Sequence, residues 1–157
     1  MAEGYHYRNL ILWQKAQDLA FDIIQVVKAL PNTYASATIA QQIVRSATSI
    51  AANIAEGHGR FSPGAHRNHL SIAKGSASET DSWLDLLRRE GLLSAEEEDR
   101  LHNQCSQIIG MLTKKIQQLD KVASDKRNLR EQVAEYHTED PAEPPLPFTE
   151  TDYRHAG

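Results

Sequence analysis

One cysteine in 157 residues leaves Cys105 no partner for an intramolecular disulfide, which points to a reducing compartment, the cytoplasm. Long apolar runs are also missing: Leu10 to Trp13 and Ile50 to Ala52 are the longest, against the roughly 20 residues of a membrane-spanning helix. No stretch has the charged, apolar, then small-residue layout of a secretory signal. No segment alternates with period two, so strands are not expected. The chain lacks the ligand spacing of a zinc site and the Gly-Lys-Ser/Thr ending of a phosphate-binding loop. No cofactor, metal site or catalytic group is therefore expected. What remains is a chain long enough for one core.

The formal net charge of −4 is unevenly distributed. Residues 1–122 hold 13 Lys/Arg and 13 Asp/Glu, whereas residues 123–157 hold 4 and 8. From Tyr136 the chain is rich in proline and acid and without periodicity. Such a segment buries too little apolar surface to offset its ordering entropy. The expected organisation is a helical bundle over 1–122, then a helix extension and a disordered acidic tail over 123–157.

Apolar periodicity places four helices in the first part. The first spans about 10–30, with Asn9 as N-cap and Pro31-Asn32 as its stop. Leu12, Leu19, Ile23, Val26 and Leu30 form one stripe, and Trp13, Ala16, Ala20, Ile24 and Val27 another. Together they cover about 160° at the helical step of about 100° per residue. The second helix, about 36–56, is lined by Ile39, Ile43, Ala47, Ile50 and Ile54, and its small residues permit close helix approach. Gly57 and Gly59 are expected to supply positive φ at its end. Ser62-Pro63 restarts the chain in cap and first-turn order. The third helix, about 63–90, has one stripe through Leu70, Ala77, Leu84 and Leu87 and another through Ile72, Gly75, Trp83 and Leu86. Gly91 ends it, and Ser94 with Glu97 makes a capping-box pattern for the fourth. Short connections favour an antiparallel up-and-down four-helix bundle. Three helices carry more apolar arc than one core uses, so self-association is expected.

Few residues are suited to chemistry. Glu79 lies within the second apolar stripe of the third helix and needs a partner, for which Arg45, Arg60 and the Asn53 amide are candidates. A structural ion pair fits it better than a catalytic acid, because no nucleophile or second carboxylate accompanies it. His58, His66 and His69, with Glu56, offer an alternative metal or small-ligand reading against that of solvated turn histidines. Cys105 falls on the fourth helix's apolar stripe and reads as core. With the helices antiparallel, one end of the bundle gathers Arg8, Lys15, Arg60, Arg67, Lys74, Lys114, Lys115 and Lys121 against Glu3, Glu56 and Asp120. Tyr5, Tyr7 and Phe61 lie there too, and a basic surface with aromatics suits RNA or DNA.

SIAANIAEGHGR (49–60), SIAKGSASE (71–79), NLILWQKAQDLA (9–20) and QIVRSATSI (42–50) resemble the four-helix bundle proteins encoded within intervening sequences of large-subunit ribosomal RNA genes. The resemblance spans roughly 8–120. It implies a homopentameric ring without known enzymatic activity. It also implies distant kinship with accessory proteins of diversity-generating retroelements, which engage nucleic acid and a reverse transcriptase. Carried over, the family's motif positions are Trp13, Arg45, Asn53, Glu56, Gly57, Arg60, Gly75, Ser76 and Glu79. The roles they imply are folding and subunit contact. The overall expectation is a non-enzymatic oligomeric scaffold or adaptor, with a purely structural module as the alternative.

Overall fold

Helix punctuation sets the architecture of the computed structural model, which describes residues 6–138 and the side chains through residue 134. Among them are four α-helices and no strand: α1 Ile11–Ala29, α2 Tyr34–His58, α3 Pro63–Arg89 and α4 Ala95–Thr138. The chain divides into two compact units, Met1–Ala123 and Ser124–Gly157. In the second, residues 125–134 of α4 are exposed. The acidic tail beyond residue 138, like Glu3 and Tyr5, lies outside the described residues.

Asn9 is not the cap of α1. Tyr7–Asn9 form a 3-10 turn, in which the Asn9 and Leu10 amides donate to the His6 and Tyr7 carbonyls at 2.9 and 3.0 Å. That turn consumes Asn9, so Leu10 occupies the cap without a side-chain bond. Thr33 caps α2, accepting from the Ser36 amide at 3.1 Å, and starts it two residues before the expected point. Ser62 and Ser94 cap α3 and α4 as their sequences suggest, accepting from the Ala65 and Glu97 amides.

The expected positive φ at Gly57 and Gly59 is absent. Helix α2 continues through His58, and Gly59 has φ −77°, its amide donating back to the Ala55 carbonyl. Among the described residues only Gly91 has positive φ, +69°. There the Leu92 amide reaches the Leu87 carbonyl at 2.9 Å, a closing bond that needs a left-handed residue in between.

All four helices contribute to one core. Leu19 and Ile23 of α1, Ile43, Ile50 and Ile54 of α2, Leu70, Leu84 and Leu87 of α3, and Leu101, Ile108 and Leu112 of α4 are fully buried. Each buried Leu or Ile contributes about 1.5–3 kcal/mol by leaving water. Contacts between helices fix their directions. Lys15 meets Gln107 while Asp22 meets Arg100, so α1 and α4 are antiparallel. Arg67 meets Asp120 while Asp81 meets His102, and Asn53 meets His69 while Ser46 meets Thr80. Helices α3 and α4, and α2 and α3, are therefore antiparallel as well. These pairings are those of an up-and-down arrangement.

The doubled apolar stripes have different fates. On α1, Ala16 and Ala20 are buried while Trp13 and Val27 pack half-buried against the core. On α3, Trp83 and Leu86 pack partly, but Ile72 stays 45% exposed.

Candidate functional site

The motif positions of α2 and α3 converge on one seam. Helix α2 presents Arg45, Ser46, Ser49, Asn53 and Glu56 at spacings of one helical face, and α3 answers with His69, Ser76, Glu79 and Thr80. Thr80, fully buried, lies 2.9 Å from the Ser46 hydroxyl and also 2.9 Å from the Ser76 carbonyl. Ser76 donates to the Ser49 hydroxyl at 3.0 Å. His69 Nδ1 lies 3.2 Å from Asn53 Oδ1 and 3.4 Å from Glu56 Oε2. The Asn53 amide donates to the Ser49 carbonyl at 2.9 Å. Short polar side chains thus link the helices over three turns, and each buried hydroxyl has a partner.

Gly57 closes the same seam by close approach rather than by turn geometry. A Cβ on it would meet His69 Cβ at 3.0 Å, His66 Cδ2 at 3.2 Å and the His66 carbonyl at 3.3 Å. Gly75 is the opposite case: a Cβ there would have no neighbour within 4 Å. It lies on the outer side of α3, between exposed Ile72 and Glu79.

Of the three partners considered for Glu79, the structure selects Arg45, whose Nη2 is 3.6 Å from Glu79 Oε1. Trp83 Nε1 donates to the same oxygen at 3.4 Å. The side chains of Arg45 and Glu79 are 72% and 41% exposed, so the pair is a surface one and not buried. Arg60 turns to Glu56 at 4.0 Å. Trp13 lies elsewhere, its ring edge-on to Tyr7 with centroids 5.2 Å apart.

The basic residues separate into groups. Lys114 and Lys115 of α4, with His58 and His66, border an open cavity of about 570 Å³ whose apolar lining includes Leu10, Leu12, Ile54, Leu70 and Met111. Burial, reinforced by the positive charges of Lys115, His58 and His69, holds His66 below the ordinary histidine pKa. Arg67 is tied to Asp120. Lys15 donates to Gln107 Oε1 at 3.0 Å, two turns along α4 from Lys114. Arg8 sits 6.0 Å from the Tyr7 ring centroid. Lys74 lies two turns along α3 from Arg67, and Lys121 follows Asp120. Among the described residues, Lys74, Lys114, Lys115 and Lys121 have no carboxylate within salt-bridge distance.

Among the described residues no group of three His, Cys, Asp or Glu is placed to hold a metal ion. His69 is engaged by Asn53 and Glu56, while His66 lines the cavity. Cys105 is buried, and burial with the charge of Asp81 pushes its thiol up to about 12, so the thiolate nucleophile is suppressed. Among the described residues no helix is long and apolar enough to cross a membrane.

Ser46, Ser49 and Thr80 carry the seam but escape an apolar-stripe reading, because hydroxyl residues count there as gaps. Their signal is positional. Ser46, Ser49 and Asn53 recur at steps of three and four beside the stripe, as do Ser76 and Thr80.

A comparison with curated protein sequences finds no match. A crystal structure of a protein of unknown function from the S23 ribosomal protein family of Bacteroides thetaiotaomicron is 33% identical, with a TM-score of 0.64. The alignment covers 68% of this chain and 98% of that one. The family model for the 23S rRNA-intervening sequence protein matches residues 8–114. That interval contains α1, α2, α3, the whole hydroxyl seam and the start of α4, and the chain accordingly belongs to the 23S rRNA-intervening sequence protein family.

Proposed function

We propose that the protein is a non-enzymatic, cytoplasmic scaffold or adaptor that assembles with copies of itself through the outer side of the α2–α3 seam. The observation that carries this reading is the conjunction at that surface. Ile72 is exposed beside Gly75, over which there is open space, and half-buried Trp83 and the Arg45–Glu79 pair flank them. An exposed aliphatic side chain next to a glycine admits close approach by another helix, and the ion pair provides a polar rim. The family resemblance supplies a ring of five as the assembly. The suppressed Cys105 thiol and the structural engagement of Glu79 support a non-enzymatic role.

In this reading the assembled protein contacts RNA, DNA or a nucleic-acid enzyme such as a reverse transcriptase through repeated copies of the basic end. Lys114, Lys115 and Lys121 provide charge not satisfied by nearby described carboxylates, and phosphate contacts require such charge. Light scattering coupled to size exclusion tests the assembly. A mass near five chains, reduced by Ile72→Glu, supports it, and a monomeric wild-type chain rejects it. Replacing Arg67, Lys114 and Lys115 with glutamate should remove salt-dependent binding to a mixed RNA and DNA ladder. Unchanged binding would reject that surface.

A further inference from the structure

The cavity bordered by α4 is shaped for a ligand other than nucleic acid. Its inner lining is aliphatic, formed by Leu12 of α1, Ile54 of α2, Leu70 of α3 and Met111 of α4. Among the described residues no ring of Phe, Tyr or Trp lines it, and this floor offers no hydrogen bond to the edge of a base. Its polar border is cationic or ionisable at one side, with Lys114, Lys115 and His66, and among the described residues includes no carboxylate. Its volume of about 570 Å³ is within the range of roughly 300–1,000 Å³ usual for small-molecule sites. We infer that this cavity binds an aliphatic carboxylate, with the acyl chain against Leu12, Ile54, Leu70 and Met111 and the head group at Lys114, Lys115 and His66.

Each part of the site has a physical role. An alkyl chain entering the cavity leaves water for aliphatic contact on all four helices, a gain that grows with each buried CH₂. A carboxylate remains near the mouth, where the lysines stay hydrated and satisfy it by charge-assisted hydrogen bonds. His66 reports the head group. Burial together with Lys115, His58 and His69 disfavours its protonated form, and the lining residues at and just before the start of α1, Asn9, Leu10, Ile11 and Leu12, add no acid to offset this. A bound carboxylate supplies the missing negative charge, so loading should raise the His66 pKa and take up protons.

Isothermal titration calorimetry of the full chain with decanoate below its micellar concentration tests this site, with decanol and inorganic phosphate as comparison ligands. Decanoate should bind saturably with one molecule per chain, at least tenfold tighter than either comparison ligand. Lys114→Glu with Lys115→Glu, both on the exposed face of α4, should weaken decanoate at least tenfold while leaving the circular dichroism spectrum unchanged. Met111→Trp, filling the cavity from a half-buried position, should abolish it in a chain that still binds nucleic acid as the wild type does. Imidazole NMR should show the His66 pKa rising on loading. The inference is overturned if decanoate does not saturate, if phosphate or decanol matches it, or if both variants bind it as the wild type does. None of those outcomes touches the assembly or nucleic-acid measurements.

Discussion

Two seams of the bundle are built from different materials. Along α2–α3 the contacts are hydroxyls, small amides and a glycine, short groups fixed close to the backbone. Along α1–α4 they are the ends of long side chains: Lys15 reaching Gln107, and Arg100 and Gln104 both reaching Asp22. Short groups tolerate almost no change in helix separation, whereas long ones adjust through several torsions. The first seam therefore fixes the register of α2 on α3, and the second adds polar contacts over a register already set by the core. The family's motif positions fall mainly on the rigid seam, as expected if its outer surface must keep one shape.

The contrast is broken most severely at Gly57. The atoms that a side chain there would strike, His69 Cβ and the His66 carbonyl, belong to or adjoin the α3 backbone and cannot rotate away. Gly57→Val should cost about 3 kcal/mol through overpacking, against a helix-propensity gain of roughly 0.5 kcal/mol. Thermal unfolding should show a fall in Tm of more than about 5 °C. Gly75→Ala offers the control on the same helix pair. With open space around the new methyl group, an unassociated chain should gain up to about 1 kcal/mol from helix propensity. If copies pack over Gly75 as proposed, the same variant should lose mass in light scattering while gaining stability in dilute solution. Stabilisation with full assembly would place the interface elsewhere.

Thr80 gives the next largest effect. Thr80→Val preserves shape but removes the hydroxyl that links Ser46 to α3, leaving Ser46 only its bond to the Ile43 carbonyl. Urea unfolding should show a loss of about 1 kcal/mol, and the substitution should couple with Ser46→Ala in a double-mutant cycle. Additive losses would mean that the ladder is a row of independent bonds.

The four helices were legible because apolar periodicity, Ser62-Pro63, Gly91 and the Ser94 cap are local signals whose meaning survives tertiary packing. Gly57 was legible as a special position but not for its true reason. A glycine near a helix end suggests positive φ, whereas here the constraint is a neighbouring helix that the local sequence does not display. Asn9 failed similarly, since a 3-10 turn before the helix competes for the residues that otherwise form its cap. The cationic positions were visible as a set, but their separation into the cavity pair Lys114 and Lys115, the tied Arg67 and the distant Lys15 depends on side-chain reach across helices. The cavity itself had no signal in the sequence. Its floor joins Leu12, Ile54 and Leu70, each an ordinary member of its own stripe, to Met111 of α4, which no stripe singles out.

The smallest effect belongs to the adjustable seam. Arg100 is half exposed, so Arg100→Ala should cost no more than about 1 kcal/mol, with Gln104 still donating to Asp22 at 2.9 Å. Its informative signature is pH dependence. Burial acts to raise the Asp22 pKa, but the hydrogen bonds from Gln104 and Arg100 and the Arg100 charge prevail, holding it below the usual carboxylate value of 3.8. The folded state therefore binds fewer protons at this carboxyl than the unfolded state does. Its contribution is present above the unfolded pKa and is lost as pH falls through 3.8 and below. Arg100→Ala should thus lose stability at neutral pH but converge with the wild type under acid. Thr80→Val, which removes no titrating group, should keep a constant deficit over the same range. Parallel acid profiles for the two variants would show that the Arg100–Asp22 pair does not anchor α1 to α4 electrostatically, leaving the core and the neutral contacts to hold that pair.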